Sequence, residues 1–448
     1  MNVSQASIEK KQKNLNIIVK KRKNKMEDED YDKLKDMFDI TRQYVIDNNL
    51  LLYGGTAING LLSKENKFYK TRELPDYDFF SPNARKHAKE LTQIYYKMGY
   101  KYSEMKSGSH YGTFKVYANF TAVADVTDIP ETLYKKMYKN HLVTDIGAKC
   151  VPLNFLKMSM YLELSRPDGD ISRWPKTFQR LTLLDRTFKA EYKLPKEINL
   201  YNNNIENVEI KSILNTVREY IIFRKLVCFG TYAFSYFYNN STPIKRLSAN
   251  STFFDCLSEN AQQTIDELNT ILSNMYLIPK KELKLNLEKI DYIGLVGTRT
   301  VLKKHSGLHH AEFFPDHYTI TLKNYKIISL FQTEACYSYF EDPGTKIRIA
   351  SIDTMLSLYY AFLFSSRKYI QCPKIEYMIK YLINLQYKHF KSNKNQYRRF
   401  LTTCYGRQKQ IRNLKLNKWK KIEENKNTKL KAYKPFKNKK VKVNKYFM

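Results

Sequence analysis

The chain has 448 residues, 77 Lys and Arg against 44 Asp and Glu, a formal net charge of +33, and 43% hydrophobic with 14% aromatic residues. That length and apolar content supply cores for two or three domains and exclude wholesale disorder, while the charge makes a polyanion the first partner to consider. No run approaches the roughly 18 apolar residues of a membrane span, and the polar start MNVSQASIEKKQKNL lacks a signal peptide's apolar core, so a soluble, non-secreted chain without a membrane partner is expected.

Residues 1–25 hold eight Lys/Arg against one Glu and read as a basic arm. The next stretch places Leu34, Met37, Phe38, Ile40, Tyr44 and Val45 at roughly helical spacing. Leu50–Tyr53 reads as a short buried strand, Gly54-Gly55 as a tight turn, and Thr56 as the start of a helix. Two glycines leave backbone N–H groups uncovered, and a helix N-terminus behind them adds partial positive charge, so a phosphate can sit there. Asn59, one turn into that helix, is a second candidate for phosphate or ribose. In ELPDYDFFS, Asp76 and Asp78 alternate with Tyr77 and Phe79, and residues i and i+2 of a strand face one way. Two carboxylates side by side raise each other's pKa unless a cation separates them, and a hard divalent ion, Mg²⁺ or Mn²⁺, is the natural one. Downstream, an apolar strand from Phe114 to Val126 presents Asp125 among Val123, Ala124 and Val126. A carboxylate in apolar surroundings needs a partner, which the metal pair supplies; Asp128, nearer the strand end at Pro130, is the rival.

A glycine turn followed by Thr56, a strand with Asp76 and Asp78, and a third carboxylate on a neighbouring strand resemble the DNA-polymerase-beta type nucleotidyltransferase superfamily. Within it, PLNFLKMSMYLELSRPDGDISRWPKTFQRLTLLDR (152–186) resembles the poly(A) polymerase catalytic subunits of large cytoplasmic DNA viruses, over about residues 45–186. The resemblance implies template-independent transfer of AMP from ATP to an mRNA 3′ end. It further implies that Gly54, Gly55 and Thr56 cradle the triphosphate. Asp76 and Asp78 would hold two ions, and Asp125 would join the ion that activates the 3′-hydroxyl. A homodimer or a heterodimer with a processivity subunit, acting in the host cytoplasm (the viral factory) or carried in the virion, is implied with it.

In SRPDGDISRW, Met158–Leu164 reads as helix, Pro167 and Gly169 break it, and Ser172 caps the next one. Arg166 and Lys176 are candidates for nucleotide phosphate. Arg173, Trp174 and Arg180 are candidates for RNA, with the indole stacking on a base. The alternative for this segment is an interhelical corner held by an Arg166–Asp170 pair.

The second half faintly repeats the first. YGGTAING (53–60) lies over CFGTYAFS (228–235), and residues 76–98 lie without a gap over 253–275, matching Asp78 to Asp255. NFTAVAD (119–125) lies over LFQTEAC (330–336), with an insertion of about 34 residues, and GAK (147–149) over GTK (344–346). On this alignment Gly54 becomes Phe229, Asp76 becomes Phe253 and Asp125 becomes Cys336, which leaves no site for two ions.

Residues 391–448 hold twenty Lys/Arg, Arg398 and Arg399 among them, against two Glu, interleaved with Tyr397, Tyr405, Trp419, Tyr433, Phe436 and Tyr446. Cations for a phosphate backbone mixed with rings for bases suit a single-stranded nucleic acid. The six cysteines, with no CxxC, read as reduced thiols, and His305, His309, His310 and His317 fit no common ligand spacing. An apolar helix over 351–366 reads as core. The expectation is an α/β (α+β) chain: a basic arm (1–25), a catalytic nucleotidyltransferase domain (26–190), a degenerate copy as scaffold and RNA surface (191–390), and a basic RNA-binding tail (391–448).

Overall fold

The computed structural model describes residues 5–70, 72–188, 208–241, 253–275, 283–288, 317–322, 325–333, 335–364, 372–408 and 410–424, the last without 411, 412, 417 and 421. No helix among them is long and apolar enough to cross a membrane.

The first unit opens with α1 (Gln5–Asp47), so residues 5–25 of the basic arm belong to one long helix, whose last turns enter the core through Met37, Phe38, Tyr44 and Val45. The chain then turns at Asn49 (φ 52°) into β1 (Leu51–Tyr53). Next come α2 (Gly54–Leu61), β2 (Tyr77–Ser81) and α3 (Ala84–Lys97). α3 buries Ala84, Ala88, Leu91 and Tyr95, a four-three-four spacing that puts one stripe against the sheet. The expected single strand from Phe114 to Val126 is a hairpin instead. After β3 (Glu104–Ser107), β4 (Thr113–Ala118) reverses at Asn119 and Phe120, both at positive φ, into β5 (Thr121–Asp128). A two-residue turn of that hand matches the twist of the strands it joins. α4 (Glu131–Lys139), β6 (Leu142–Val143), β7 (Lys149–Cys150), α5 (Leu153–Leu164) and α6 (Trp174–Thr187) complete the unit. Asp170, not Ser172, caps the turn that leads into α6: its carboxylate accepts from Ser172 N.

The second unit repeats this path: α7 (Val208–Phe223), β8 (Val227–Cys228), α8 (Thr231–Ser241), β9 (Phe254–Ser258), α9 (Ala261–Met275), β10 (Leu283–Glu288), β11 (His317–Leu322), β12 (Tyr325–Gln332), β13 (Tyr337–Glu341), β14 (Arg348–Ala350), α10 (Ile352–Phe362) and α11 (Cys372–Lys388). β15 (Cys404–Tyr405) then adds to β13. The two sheets run β3-β4-β5-β2-β1-β7-β6 and β10-β11-β12-β9-β8-β14-β13-β15. Up to β15 they match strand for strand. β1–β7, β2–β5 and their counterparts β8–β14, β9–β12 are parallel, and the remaining pairs antiparallel.

Strand register corrects the sequence alignment of the copies. Leu52 faces Phe79 and Cys228 faces Cys256, so Phe229 stands where Tyr53 does and Gly230, not Phe229, takes the place of Gly54. Asp78 faces Asp125 while Asp255 faces Ser329, so the third carboxylate becomes Ser329, not Cys336. The insertion is then 27 residues, since Ser329 follows Asp255 by 74 where Asp125 follows Asp78 by 47; most of it lies at 289–316, outside the described residues together with His305, His309 and His310. Gly147 and Lys346, both left-handed, are the matching turn residues, two positions from the GAK/GTK match. Smaller details repeat as well. Tyr44 donates to Glu90 and Tyr220 to Glu267, each at 3.0 Å, and Lys225 (φ 53°) repeats the turn at Asn49.

α5 and α10, the matching helices of the two units, pack on each other. The buried Lys157–Asp185 pair (2.5 Å), the Tyr387 hydroxyl donating to Asp185 (3.0 Å) and the Arg399–Asp353 pair (2.7 Å) lock α5, α6, α10 and α11 together. The start of the expected tail therefore belongs to the body. Tyr397 is buried, Tyr405 lies in β15, and Cys336 and Cys404 are joined as a disulfide, against the expectation of six thiols; Cys150, Cys228 and Cys256 are free and buried.

Candidate active site

The site forms where β2 leaves the loop before it. Asp76 precedes the strand, Asp78 lies on it, and Asp125 is its register partner on β5, so all three carboxylates reach one another: an oxygen from each lies within 4.8 Å of the others. This is the grouping expected from the sequence. Asp128, the rival, is not in it: its half-buried carboxyl accepts from the Ala84 backbone at the start of α3 and is pushed up to about 7 by partial burial.

Packing three acids together has an electrostatic cost. Burial first, then Asp76 and Asp125, push the Asp78 carboxyl up to about 7. Burial and Asp125 raise Asp76. The relief comes from Lys115, directly across from Asp125 on β4, whose ammonium donates to both Asp125 oxygens at 2.8 and 2.5 Å. Burial alone would lower that amine, but its bonds to Asp125 outweigh burial and leave it raised. An ammonium held among three carboxylates marks a place that attracts a cation, and an oxygen-only donor set suits a hard divalent ion. The residues present therefore fit such an ion. A second grouping, Asp168 with Cys336 and Cys404, has its two sulfurs bonded to each other.

The glycine turn closes over the acids. α2 begins at Gly54 itself, two residues before Thr56. Gly54 is left-handed (φ 72°), and a Cβ there would collide with the Asp78 carboxylate. A Cβ on Gly55 would collide with the Tyr69 hydroxyl. Thr56 fixes the site from below, its hydroxyl donating to the Asp76 carbonyl at 2.9 Å. Asn59 does not face the site: its Oδ1 accepts from the Phe68 and Tyr69 N–H groups at 3.0 and 3.1 Å and holds that loop beside Gly55.

α6 supplies the opposite charge. Arg180, expected at RNA, lies over the Phe68 ring (4.5 Å), donates to the Tyr69 hydroxyl (3.2 Å) and flanks Gly55. Lys176 is exposed one turn earlier. The neighbouring Arg180 charge, then burial and Arg173, pull its amine down while Glu163 and Asp76 pull it up. Arg173 donates to Glu163 (2.6 Å) and its charge is felt at Asp78. Three expected contacts lie elsewhere. Arg166 covers the Tyr337 ring of β13, away from the glycines, and forms no pair with Asp170. The Trp174 indole donates to the Glu163 carbonyl and packs on Phe400, so its ring is not presented for stacking. Arg399 is buried against Asp353, Phe178 and Phe400, because the chain after α11 folds back over α6; Arg398 beside it is exposed.

Sequence reasoning missed Lys115, Phe68 and Tyr69. Lys115 was legible only with the hairpin, which turns a residue ten positions before Asp125 into its cross-strand partner. Nothing in the pattern marked the 68–69 loop.

In the second unit the same positions are disarmed. Phe253 replaces Asp76, Ser329 replaces Asp125, and the remaining Asp255 accepts from Lys326 Nζ at 2.7 Å, the amine also resting on the Phe253 ring at 4.2 Å. A Cβ on Gly230 would collide with Asp255, as on Gly54 with Asp78.

One α/β unit occurs twice in the chain, and in its first copy three carboxylates converge behind a glycine turn. The crystal structure of the Megavirus polyadenylate synthase shares that fold across 97% of this chain and 88% of its own, with a TM-score of 0.71 at 18% identity. Residues 39–170, which contain Gly54, Asp76, Asp78 and Asp125, match the family model described as poly(A) polymerase catalytic subunit, in agreement with the resemblance read from the sequence. A "Putative poly(A) polymerase catalytic subunit" of African swine fever virus (strain Badajoz 1971 Vero-adapted) is 27% identical over 218 residues, 46% of this chain and 41% of the relative. The protein of the same description from Acanthamoeba polyphaga mimivirus is 24% identical over 159 residues, 35% of this chain and 27% of its own length. The matched stretches thus span under half of each relative.

Proposed function

We propose that this chain is a template-independent polynucleotide adenylyltransferase that adds AMP from ATP to mRNA 3′ ends. The observation that carries the reading is the convergence of Asp76, Asp78 and Asp125 beside the Gly54 turn, within the stretch that the family model matches. Two Mg²⁺ or Mn²⁺ ions, when bound, would supply charge stabilisation at the attacking and leaving oxygens of an in-line displacement. Asp76 and Asp78 would hold both ions and Asp125 the one nearer the 3′-hydroxyl, with Lys115 giving up its hold on Asp125. Gly54 and Gly55, lacking side chains, leave the first N–H groups of α2 open to the triphosphate, and Lys176 and Arg180 offer it positive charge. Thr56 keeps Asp76 in place through its carbonyl.

In this reading residues 26–190 form the catalytic domain, residues 191–390 a scaffold without chemistry, and the exposed cations of the termini, Arg398 among them, hold the RNA. The working assembly is a homodimer or a heterodimer with a processivity subunit, in the host cytoplasm or the virion. The decisive experiment offers purified chain a short RNA primer, Mg²⁺ or Mn²⁺, and each NTP separately. Extension with ATP alone supports the proposal; use of CTP points to a CCA-adding enzyme, and no incorporation to a non-catalytic RNA-binding subunit.

A further inference from the structure

The β4–β5 hairpin carries a feature that the chemistry leaves unused. Its turn residues are Asn119 (φ 43°) and Phe120 (φ 67°). Asparagine tolerates the left-handed region; a bulky aromatic there is an outlier that persists where surrounding structure enforces it. The unusual choice exposes a ring: Phe120 is 76% accessible. It is also organised, because Phe120 stacks on Tyr102, itself 64% accessible, with centroids 5.1 Å apart and planes 26° from parallel. The Asn119 side chain accepts from Tyr102 N at 3.3 Å and ties the two segments together.

The surroundings are basic. Lys97 and Lys101 are exposed on the chain leading into Tyr102, and the nearby acid, Glu104, is engaged by Lys106. The platform continues into the chemistry: β5 runs directly from Phe120 to Asp125, five residues or about 17 Å of strand. Exposed parallel rings beside uncommitted lysines, at the end of the strand that carries the third carboxylate, match the requirements of a single-stranded nucleic acid, whose bases stack and whose phosphates need cations.

We infer that Phe120 and Tyr102 form a base-stacking platform that binds the RNA strand upstream of its 3′ end. The inference rests on the proposed RNA substrate and adds to it a contact outside the 3′-terminal nucleotide. A primer of a few nucleotides would fall short of the platform, and one several times longer would engage it.

The test measures affinity for two oligoadenylates, one of a few nucleotides and one several times longer, by fluorescence anisotropy without nucleotide or divalent ion, for the full chain and for Phe120→Gly, Tyr102→Ala and Phe120→Trp. Glycine suits the left-handed turn, so Phe120→Gly should fold at least as stably as the natural chain. Both ring deletions should weaken the longer RNA by about fivefold or more, the lower end of one stacked base, and leave the short one unchanged. Phe120→Trp should keep the affinity and show indole quenching on RNA addition. Unchanged binding of the longer RNA by Phe120→Gly overturns the platform. So does unchanged RNA binding accompanied by a change of oligomeric state in light scattering, which would make the rings an interface between copies. Because no adenylyl transfer is measured, a chain that binds RNA through these rings yet never extends it would refute the proposed activity alone.

Discussion

The two units are one fold treated in two ways. In the first, three carboxylates converge and a lysine from the neighbouring strand offsets one of them, leaving Asp78 pushed up to about 7. In the second, one carboxylate survives and a lysine neutralises it outright, while an aromatic ring fills the place of another acid. Sheet order, helix stripes and even the left-handed turns at Asn49 and Lys225 are alike. The difference teaches that this scaffold does not need its carboxylates to fold. They are an electrostatic expense confined to the first unit, which is where chemistry is expected.

The sharpest way to break the comparison is to remove acids from each unit in turn. Asp76→Ala with Asp78→Ala should lower AMP incorporation by about 10³-fold or more, the scale of several kcal/mol of lost charge stabilisation. Asp255→Ala should leave the rate per folded molecule unchanged in the same primer-extension assay.

Stability should move the opposite way. Asp78→Asn relieves a buried like-charge cluster and should raise the melting temperature of the metal-free protein at pH 8. Asp255→Asn breaks a pair with Lys326 and should lower the melting temperature, through a loss of about 1–2 kcal/mol of stability given the partial exposure of that lysine. Equal signs in calorimetry would mean that the two sites are not electrostatic opposites.

The pH dependence follows from the same acid. The folded state keeps the Asp78 proton up to about 7, whereas the unfolded chain releases it near the ordinary value of about 4. Between those values the folded state binds more protons, so this group's contribution to stability falls as pH rises through the window. A divalent ion competes with that proton, so the thermal shift produced by Mn²⁺ should grow between pH 6 and pH 8 and be absent in Asp78→Asn.

The smallest effect concerns the C-terminus. Residues 425–448 carry nine Lys and no acid, so removing them should flatten the log–log salt dependence of RNA binding by about 0.7 per lost phosphate contact, with little change in transfer at saturating primer.

The site was legible because its signals are local. Alternation puts Asp76 and Asp78 on one face, and adjacent glycines announce a close approach of backbone, which the collision of a Gly54 Cβ with Asp78 bears out. The duplication was legible where no gap intervened, as in α3 and α9, and slipped wherever one did; only strand register shows that Ser329, not Cys336, faces Asp255. Long-range ion pairs and the disulfide were not legible. Arg399 looks like one more tail cation, and nothing in its surroundings in the chain announces Asp353 of α10, 46 residues earlier. The Cys336–Cys404 bridge was hidden likewise, because residues 68 apart meet only when β15 joins β13.

At the contact between α5 and α10, Tyr161 stacks on Tyr360 with centroids 5.9 Å apart. Each lies eleven residues after the strand position, Cys150 or Ile349, that pairs with the first strand of its own unit, β1 or β8. A residue meeting its own counterpart is the hallmark of a two-fold interface between identical subunits. The two units thus meet across α5 and α10 as the protomers of a homodimer would, within one chain. A single covalent chain fixes their ratio at one to one and removes any dependence of that pairing on concentration, and the contact stands although the second unit lacks two of the three acids.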